Sequence, residues 1–396
     1  MQTIYVVCLT IYLNTSFLAD GCGFLPFFNR GLGMSLVHKI GLTLIKSVGH
    51  VTAKNLLGHF GSSELVFSAS LKQLMEVAGV GPVTAAEIVN NNALKVAAEQ
   101  IRFLEKHKID VMFFGDENYP RRLMECFDAP ILLYYRGSID LNHPRIVSIV
   151  GTRKATDYGR YLCRQLAEVL AAYDVIVISG LAYGIDVTAH KESLAFNIPT
   201  VGVLAHGLDR IYPQLHHALA QKMVYNGGLI TEFPLQTNPD KENFPKRNRI
   251  IAGLADATIV VEATVKGGAL ITADIANSYD RDVYAFPGRV NDQYSEGCNF
   301  LIKTSRAALI NHAKDFVYYM GWDSVAPKAI KQIQLPLGLS KEEQEIAEIL
   351  KLSSARIDEL GTKLGINQSK LAMHLLNLEM QGILISLPGK VYKLNQ

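Results

Sequence analysis

Three things are scarce in this 396-residue sequence: charge of one sign, paired cysteines and long apolar runs. Thirty-nine Lys and Arg face 37 Asp and Glu, a formal charge of +2, so affinity for a polyanion has to come from local clustering. The five cysteines (Cys8, Cys22, Cys126, Cys163, Cys298) are odd in number, and none stands in a C-x-x-C pair. That supports neither a disulfide framework nor a zinc knuckle, and it fits a reducing cytoplasm. His206, His216 and His217 show no ligand spacing with the cysteines, so no metal site is expected. The opening MQTIYVVCLTIYL has the core of a signal peptide, but no Lys or Arg precedes Arg30. Its apolar run of about ten residues is too short to span a bilayer, and no other segment is long and apolar enough. Residues 1–33 are expected to be an upstream extension of the reading frame or poorly ordered.

Catalytic signatures are missing too. There is no G-x-x-x-x-G-K-[ST] and no G-x-G-x-x-G following a strand with an acid about twenty residues on, which disfavours an NTPase and a nicotinamide enzyme. No cofactor is expected. Asp186 and His190 stand at i and i+4 and can do acid–base work together, but no Ser or Cys in an elbow completes a triad. The spacing favours Asp186 as a helix-start cap and His190 as structural. Glu232 and Glu262, at strand ends, suit either a general acid or nucleophile or pairing with neighbouring arginines, and pairing is favoured.

What is present organises the chain into modules. At 49% hydrophobic, the sequence can fill two or three cores. Residues 34–110 read as helical and contain a repeat, VGHVTAKNLL (48–57) against VGPVTAAEIV (80–89). The second copy resembles a helix-hairpin-helix (SAM-like) motif with Gly79-Val80-Gly81 as its hairpin. Such a turn serves either contact with a nucleic-acid backbone or packing alone. An extended connector rich in proline follows. Six apolar runs then alternate with helical patterns: RIVSIVG, VIVISG, TVGVLAHG, GLITEFP, ATIVVEA and DVYAFPG. That alternation predicts an α/β, Rossmann-like doubly wound sheet within residues 111–322. A linker (323–339) leads to residues 340–396, which read as three helices and a hairpin around Pro388-Gly389, a winged helix. Ser340 with Glu343 predicts a capping box, and Asn367 a further cap. Seven basic and seven acidic side chains make this last module neutral, which favours protein interaction or weak DNA contact at least as much as sequence reading.

Ligands of open parallel sheets bind beyond the carboxyl ends of the strands. Four strand ends carry suitable residues: Gly151, Thr152, Arg153 and Lys154; Ser179 and Gly180; Lys246, Arg247, Asn248 and Arg249 of FPKRNR; and Lys266, Gly267 and Gly268. Arginine grips phosphate, and glycine lets a ligand near the backbone. Four such ends on one rim predict an extended basic groove for a polyanion.

These motifs together resemble the DNA-processing protein A family (DprA, also called Smf). The resemblance runs through VGTRKATDYG, VISGLAYGIDVTAH, TEFP, FPKRNRIIAGL, VVEA, GGALITA, FPG and EGCNFLI, from about Val147 to Ile302. It implies binding of single-stranded DNA without sequence preference, a homodimer through the Rossmann-like domain, and loading of a RecA-type recombinase during natural transformation or recombination, without catalysis. It also implies that Arg153, Lys241 and Phe244 contact DNA, with Lys246, Arg247 and Arg249 completing the basic turn. Phe244 suits either base stacking or anchoring of its loop. Tyr183 stands where the family commonly has arginine, which removes one implied phosphate contact, and Gly267-Gly268-Ala269 replaces a Ser-Gly-Ser. The alternative from another class is a nucleotide-cleaving phosphoribohydrolase with Glu262 at its centre.

Overall fold

The computed structural model describes residues 30–90, 92–322, 339–352, 354–381, 383–387 and 391–394. Most of the expected N-terminal extension, nearly all of the linker and the Pro388-Gly389 turn lie outside these residues. Two compact units divide between Lys328 and Ala329.

The first unit opens with α1 (Arg30–Thr43), α2 (His50–Phe60), α3 (Ser63–Ser68), α4 (Leu71–Leu74), α5 (Pro82–Val89) and α6 (Ala93–Lys106). The sequence repeat is a structural one. Gly49 and Gly81 cap α2 and α5 in the same extended conformation, with ψ of 177° at both. Val48, Ala53 and Leu56 are buried at the places that Val80, Ala85 and Ile88 occupy in the second copy. Only the second copy makes the left-handed turn, at Gly79 (φ +85°). The first copy has Ser47 there, and its backbone N–H and hydroxyl both donate to Glu87 Oε2.

Next come β1 (Asp110–Phe113), α7 (Arg121–Met124) and β2 (Leu132–Gly137). The stretch expected to be a connector thus contributes two antiparallel strands, registered Met112 to Leu133, and β2 also pairs antiparallel with the strand Gly227–Thr231 of the main sheet. Phe113, Leu132 and Tyr134 are buried with the helical module, so these strands form where its core meets the sheet.

The six anticipated strands follow with their helices: β3 (Ile146–Val150), α8 (Asp157–Leu170), β4 (Ile176–Ser179), α9 (Ile185–Ala195), β5 (Thr200–Val203), α10 (His217–Tyr225), β6 (Gly227–Thr231), α11 (Asn243–Leu254), β7 (Ala257–Val260), α12 (Gly268–Ser278) and β8 (Asp282–Ala285). After α13 (Glu296–Lys303), a short β9 (Ala308–Leu309) closes the row before α14 (Ala313–Tyr319). The nine strands lie in the order β1-β2-β6-β5-β4-β3-β7-β8-β9, parallel from β6 to β9. Alternation along β3 sorts the two faces: Ile146 and Val150 pack with α11 and α12, while Val147 and Ile149 pack with α8 and α9.

The second unit holds α15 (Lys341–Leu352), β10 (Ala355–Arg356), α16 (Ile357–Leu364), α17 (Gln368–Met380), β11 (Leu384–Leu387) and β12 (Val391–Leu394) around Ile346, Leu360, Leu371 and Leu375. Ser340 and Glu343 exchange the two capping-box hydrogen bonds, and Asn367 Oδ1 accepts from the Lys370 N–H. β10, two residues long, is an addition to the expected pattern and pairs with β12.

Candidate nucleic-acid interface

The parallel strands end on one rim, and the chain reverses its winding direction between β3 and β7. The loop after β3 leads to α8 on one face, and the loop after β7 leads to α12 on the other. A crevice of about 830 Å³ opens at this switch point. Gly151, Thr152, Arg153 and Lys154 line it from the first loop, Gly267 and Gly268 from the start of α12, and Lys241, Phe244, Arg247 and Asn248 from around the start of α11. Arg153, Lys154 and Lys241 are exposed cations. The start of α12 has no side-chain cap; the Leu270 N–H donates to the Gly267 carbonyl, and the N–H groups of Gly268 and Ala269 are left for an anion.

The remaining sequence-derived residues lie elsewhere. Ser179 is fully buried and donates its hydroxyl to the Ile149 carbonyl at 2.6 Å, bracing β4 on β3. Gly180 borders a small adjoining recess, and Lys266 is exposed outside the crevice wall. Lys246 and Arg249 line a different cleft, with Gly49 and His50 of the helical module. The reason is helical phase. FPKRNR was expected to be a loop with its cations in one turn, but it forms the first turns of α11. Steps of about 100° per residue leave Lys246 and Arg249, three apart, on one side of the helix and turn Arg247 away from them. Arg249 donates to Glu232 and to the Asp128 carbonyl, which gives Glu232 the arginine partner expected for it.

Arg247 points inward. It is 4% exposed, and its Nη1 donates to the Val203 carbonyl at 2.9 Å. Across Gly180 lies Asp186, also buried. A Cβ at Gly180 would come 1.8 Å from Arg247 Nη1 and 2.6 Å from Asp186 Oδ2, so this position admits glycine alone. Burial lowers the Arg247 pKa to about 10, against the attraction of Asp186, and raises that of Asp186 against the attraction of Arg247. Desolvation therefore outweighs the pairing on both partners. Asp186 does not cap its own helix, since α9 has no side-chain cap. Its carboxylate instead receives the N–H groups of Ala182 and Gly180, which fixes the turn between β4 and α9. His190, also buried, donates Nδ1–H to Thr200 Oγ1, which itself donates to the Val177 carbonyl. Burial lowers its pKa to about 3, so it is a neutral core imidazole.

Glu262 departs from the expected pairing with arginine. Its carboxylate accepts the N–H and the hydroxyl of Thr156, and its carbonyl accepts the Thr152 N–H at 2.7 Å. Gly159, which drew no attention in the sequence, packs on it: a Cβ there would meet Glu262 Oε2 at 2.2 Å. The glycines were expected to leave room for a ligand, and only some leave open space. Gly151 makes room for Ile185 and the Glu262 carbonyl, whereas Gly268 has nothing within 4 Å and is open.

Phe244 is half-buried under guanidinium groups, with Arg153 5.1 Å and Arg247 5.9 Å from its ring centre. This is cation–π geometry, which holds Arg153 at the crevice mouth. Two tyrosines on the crevice wall, Tyr212 and Tyr294, belong to no motif and were not foreseen. Among the described residues no cluster of His, Cys, Asp or Glu could hold a metal ion, and no helix is long and apolar enough to cross a membrane.

The chain matches the family model of DNA recombination-mediator protein A over residues 110–321, a helix-hairpin-helix motif over 41–99 and the DprA winged helix domain over 331–390. It is 38% identical over 276 residues to protein Smf of Synechocystis sp., covering 67% of this chain and 68% of that one. It is 37% identical over 338 residues to a putative DNA processing protein DprA of Mycobacterium tuberculosis, covering 77% and 85%. The X-ray structure of DprA from Streptococcus pneumoniae aligns with a TM-score of 0.60 at 29% identity, over 72% of this chain and 97% of that one. DprA from Helicobacter pylori, whose structure is described for its single-stranded-DNA binding mode, aligns with a TM-score of 0.50 at 30% identity, over 55% and 97%. With its central sheet, its helical module and its winged helix all matched, the chain belongs to the DNA recombination-mediator protein A family.

Proposed function

We propose that this chain binds single-stranded DNA along the switch-point crevice without sequence preference. It then passes the strand to a RecA-type recombinase during DNA uptake or recombination in the cytoplasm, as a homodimer joined through its Rossmann-like domain. The observation that carries this reading is the crevice wall, where Arg153, Lys154, Lys241 and the open start of α12 surround a trough of about 830 Å³. Separate cations along an open trough suit a chain of phosphates, whose counterions they release. The single-stranded DNA bound by the Helicobacter pylori relative supports the same choice of polymer.

The reading is of a binding protein and not an enzyme. Glu262, the residue a phosphoribohydrolase would need, is 2% exposed and holds Thr156 instead of facing the crevice. A gel shift comparing oligo-dT with a duplex of equal length tests the proposal, with single-strand preference expected. Equal affinity for the two, or release of free base from a nucleoside monophosphate, would overturn it.

A further inference from the structure

Beside the crevice lies a small recess of about 60 Å³, bordered by Arg153, Phe244, Tyr183 and Tyr212 over a floor that includes Gly180 and Ala205. It has room for a few waters and not for a base. Whatever flat group meets this place must lie on its rim. The rim is aromatic and open: Tyr183 is 46% exposed and Tyr212 48%.

Both rings are held from below by buried histidines. His216 is buried, has its Nδ1 2.9 Å from the Leu181 carbonyl in the loop that carries Tyr183, and meets the Tyr183 ring edge-on at 5.2 Å. His206 is buried, with burial lowering its pKa. Its Nδ1–H donates to the Gly207 carbonyl, which leaves Nε2 to accept the Tyr212 N–H at 3.2 Å. Tyr212 in turn leans on Phe244, with ring centres 6.3 Å apart. Phe244 itself carries Arg153 and Arg247 against its ring, so it is the less accessible surface of the three. Half-exposed tyrosines on a rigid base add nothing to the core, while they offer low-entropy apolar faces to a ligand.

We propose that Tyr183 and Tyr212 are base-stacking platforms. They would extend the path of the single strand from the cationic crevice, past Arg153, across the recess. This rests on the single-strand reading above and assigns a division of labour: cations of the crevice hold phosphates, and the two tyrosines hold bases. Stacking of this kind tolerates every base, in keeping with binding without sequence preference.

The two contributions separate by salt dependence. Tyr183→Ala or Tyr212→Ala should each weaken oligo-dT binding by roughly 5-fold or more. The slope of log affinity against log salt should not change, because no phosphate contact is lost. Tyr183→Phe and Tyr212→Phe should bind like the unmodified protein. On a strand of the same length with abasic sites in place of bases, the Ala variants and the unmodified protein should bind alike. Unchanged affinity of both Ala variants for oligo-dT would overturn the assignment, as would an equal loss on the abasic strand or a lowered salt slope. Failure of the unmodified protein to bind oligo-dT would instead refute the single-strand reading and the assignment with it. Thermal melting of each variant confirms that a loss is not one of folding.

Discussion

Replacing Arg247 by alanine should act on the fold before it acts on DNA. The guanidinium sits in the core, bound to the Val203 carbonyl, with Asp186 across Gly180. Removing it strands a buried carboxylate and an unpaired carbonyl. Leaving a buried acceptor without its donor costs about 1–3 kcal/mol, and more where a facing charge is lost as well, a large share of the roughly 5–15 kcal/mol that holds a typical protein folded. Urea unfolding followed by circular dichroism measures this loss. Adding Asp186→Asn removes the stranded charge and keeps an acceptor for the Gly180 and Ala182 N–H groups, so the double variant should recover part of the stability. A single variant with the original midpoint and a salt slope shallower by about 0.7 would refute the reasoning, because the guanidinium would then be spending its charge on phosphate.

Three further outcomes follow from the same geometry. Arg153→Ala, at an exposed position, should leave the melting temperature nearly unchanged and reduce the salt slope of oligo-dT binding by about 0.7; an unchanged slope would place Arg153 away from the strand. Gly180→Ala, forced against Arg247 Nη1 and Asp186 Oδ2, should cost about 1–3 kcal/mol in thermal or urea unfolding, whereas Gly268→Ala, in open space, should cost less than 1 kcal/mol. His190, with its folded pKa lowered to about 3 from 6.5, contributes stability that is fully present above pH 6.5 and is lost as pH falls toward 3. Between pH 6.5 and 5 the loss should approach about 2 kcal/mol, and His190→Gln should flatten that part of the stability curve.

The parallel sheet was legible because its strands are runs of β-branched residues, each closed by a turn signal and spaced by amphipathic helices. β1 and β2 were not, since DVMF is only four residues long, LLYYRG directly follows a proline-containing stretch, and both pack against the helical module. The crevice was legible as four rim segments, and the loops at Arg153 and Gly268 do line it. The direction of each cation in KRNR was not. It depends on whether the segment is helical, and Pro245 suggests a loop although it stands in the first turn of α11, where its missing N–H costs nothing. The role of Glu262 was hidden for a different reason. Its partners, Thr156 and Gly159, are about a hundred positions away, and both are common in ordinary turns.

Glu262 also bears on how quickly the crevice can be filled. Through one carboxylate and one carbonyl it fastens the loop after β3 to the end of β7, so the two walls of the switch point are joined at their base. If a strand fills this trough, its capture should not have to wait for that base to open. The association rate with oligo-dT should then rise with DNA concentration without reaching a plateau and fall steeply with added salt. The ordering entropy of the complex would fall almost wholly on the nucleic acid, so a stiff, already stacked strand and a limp one should differ in affinity even where the contacts they make are the same.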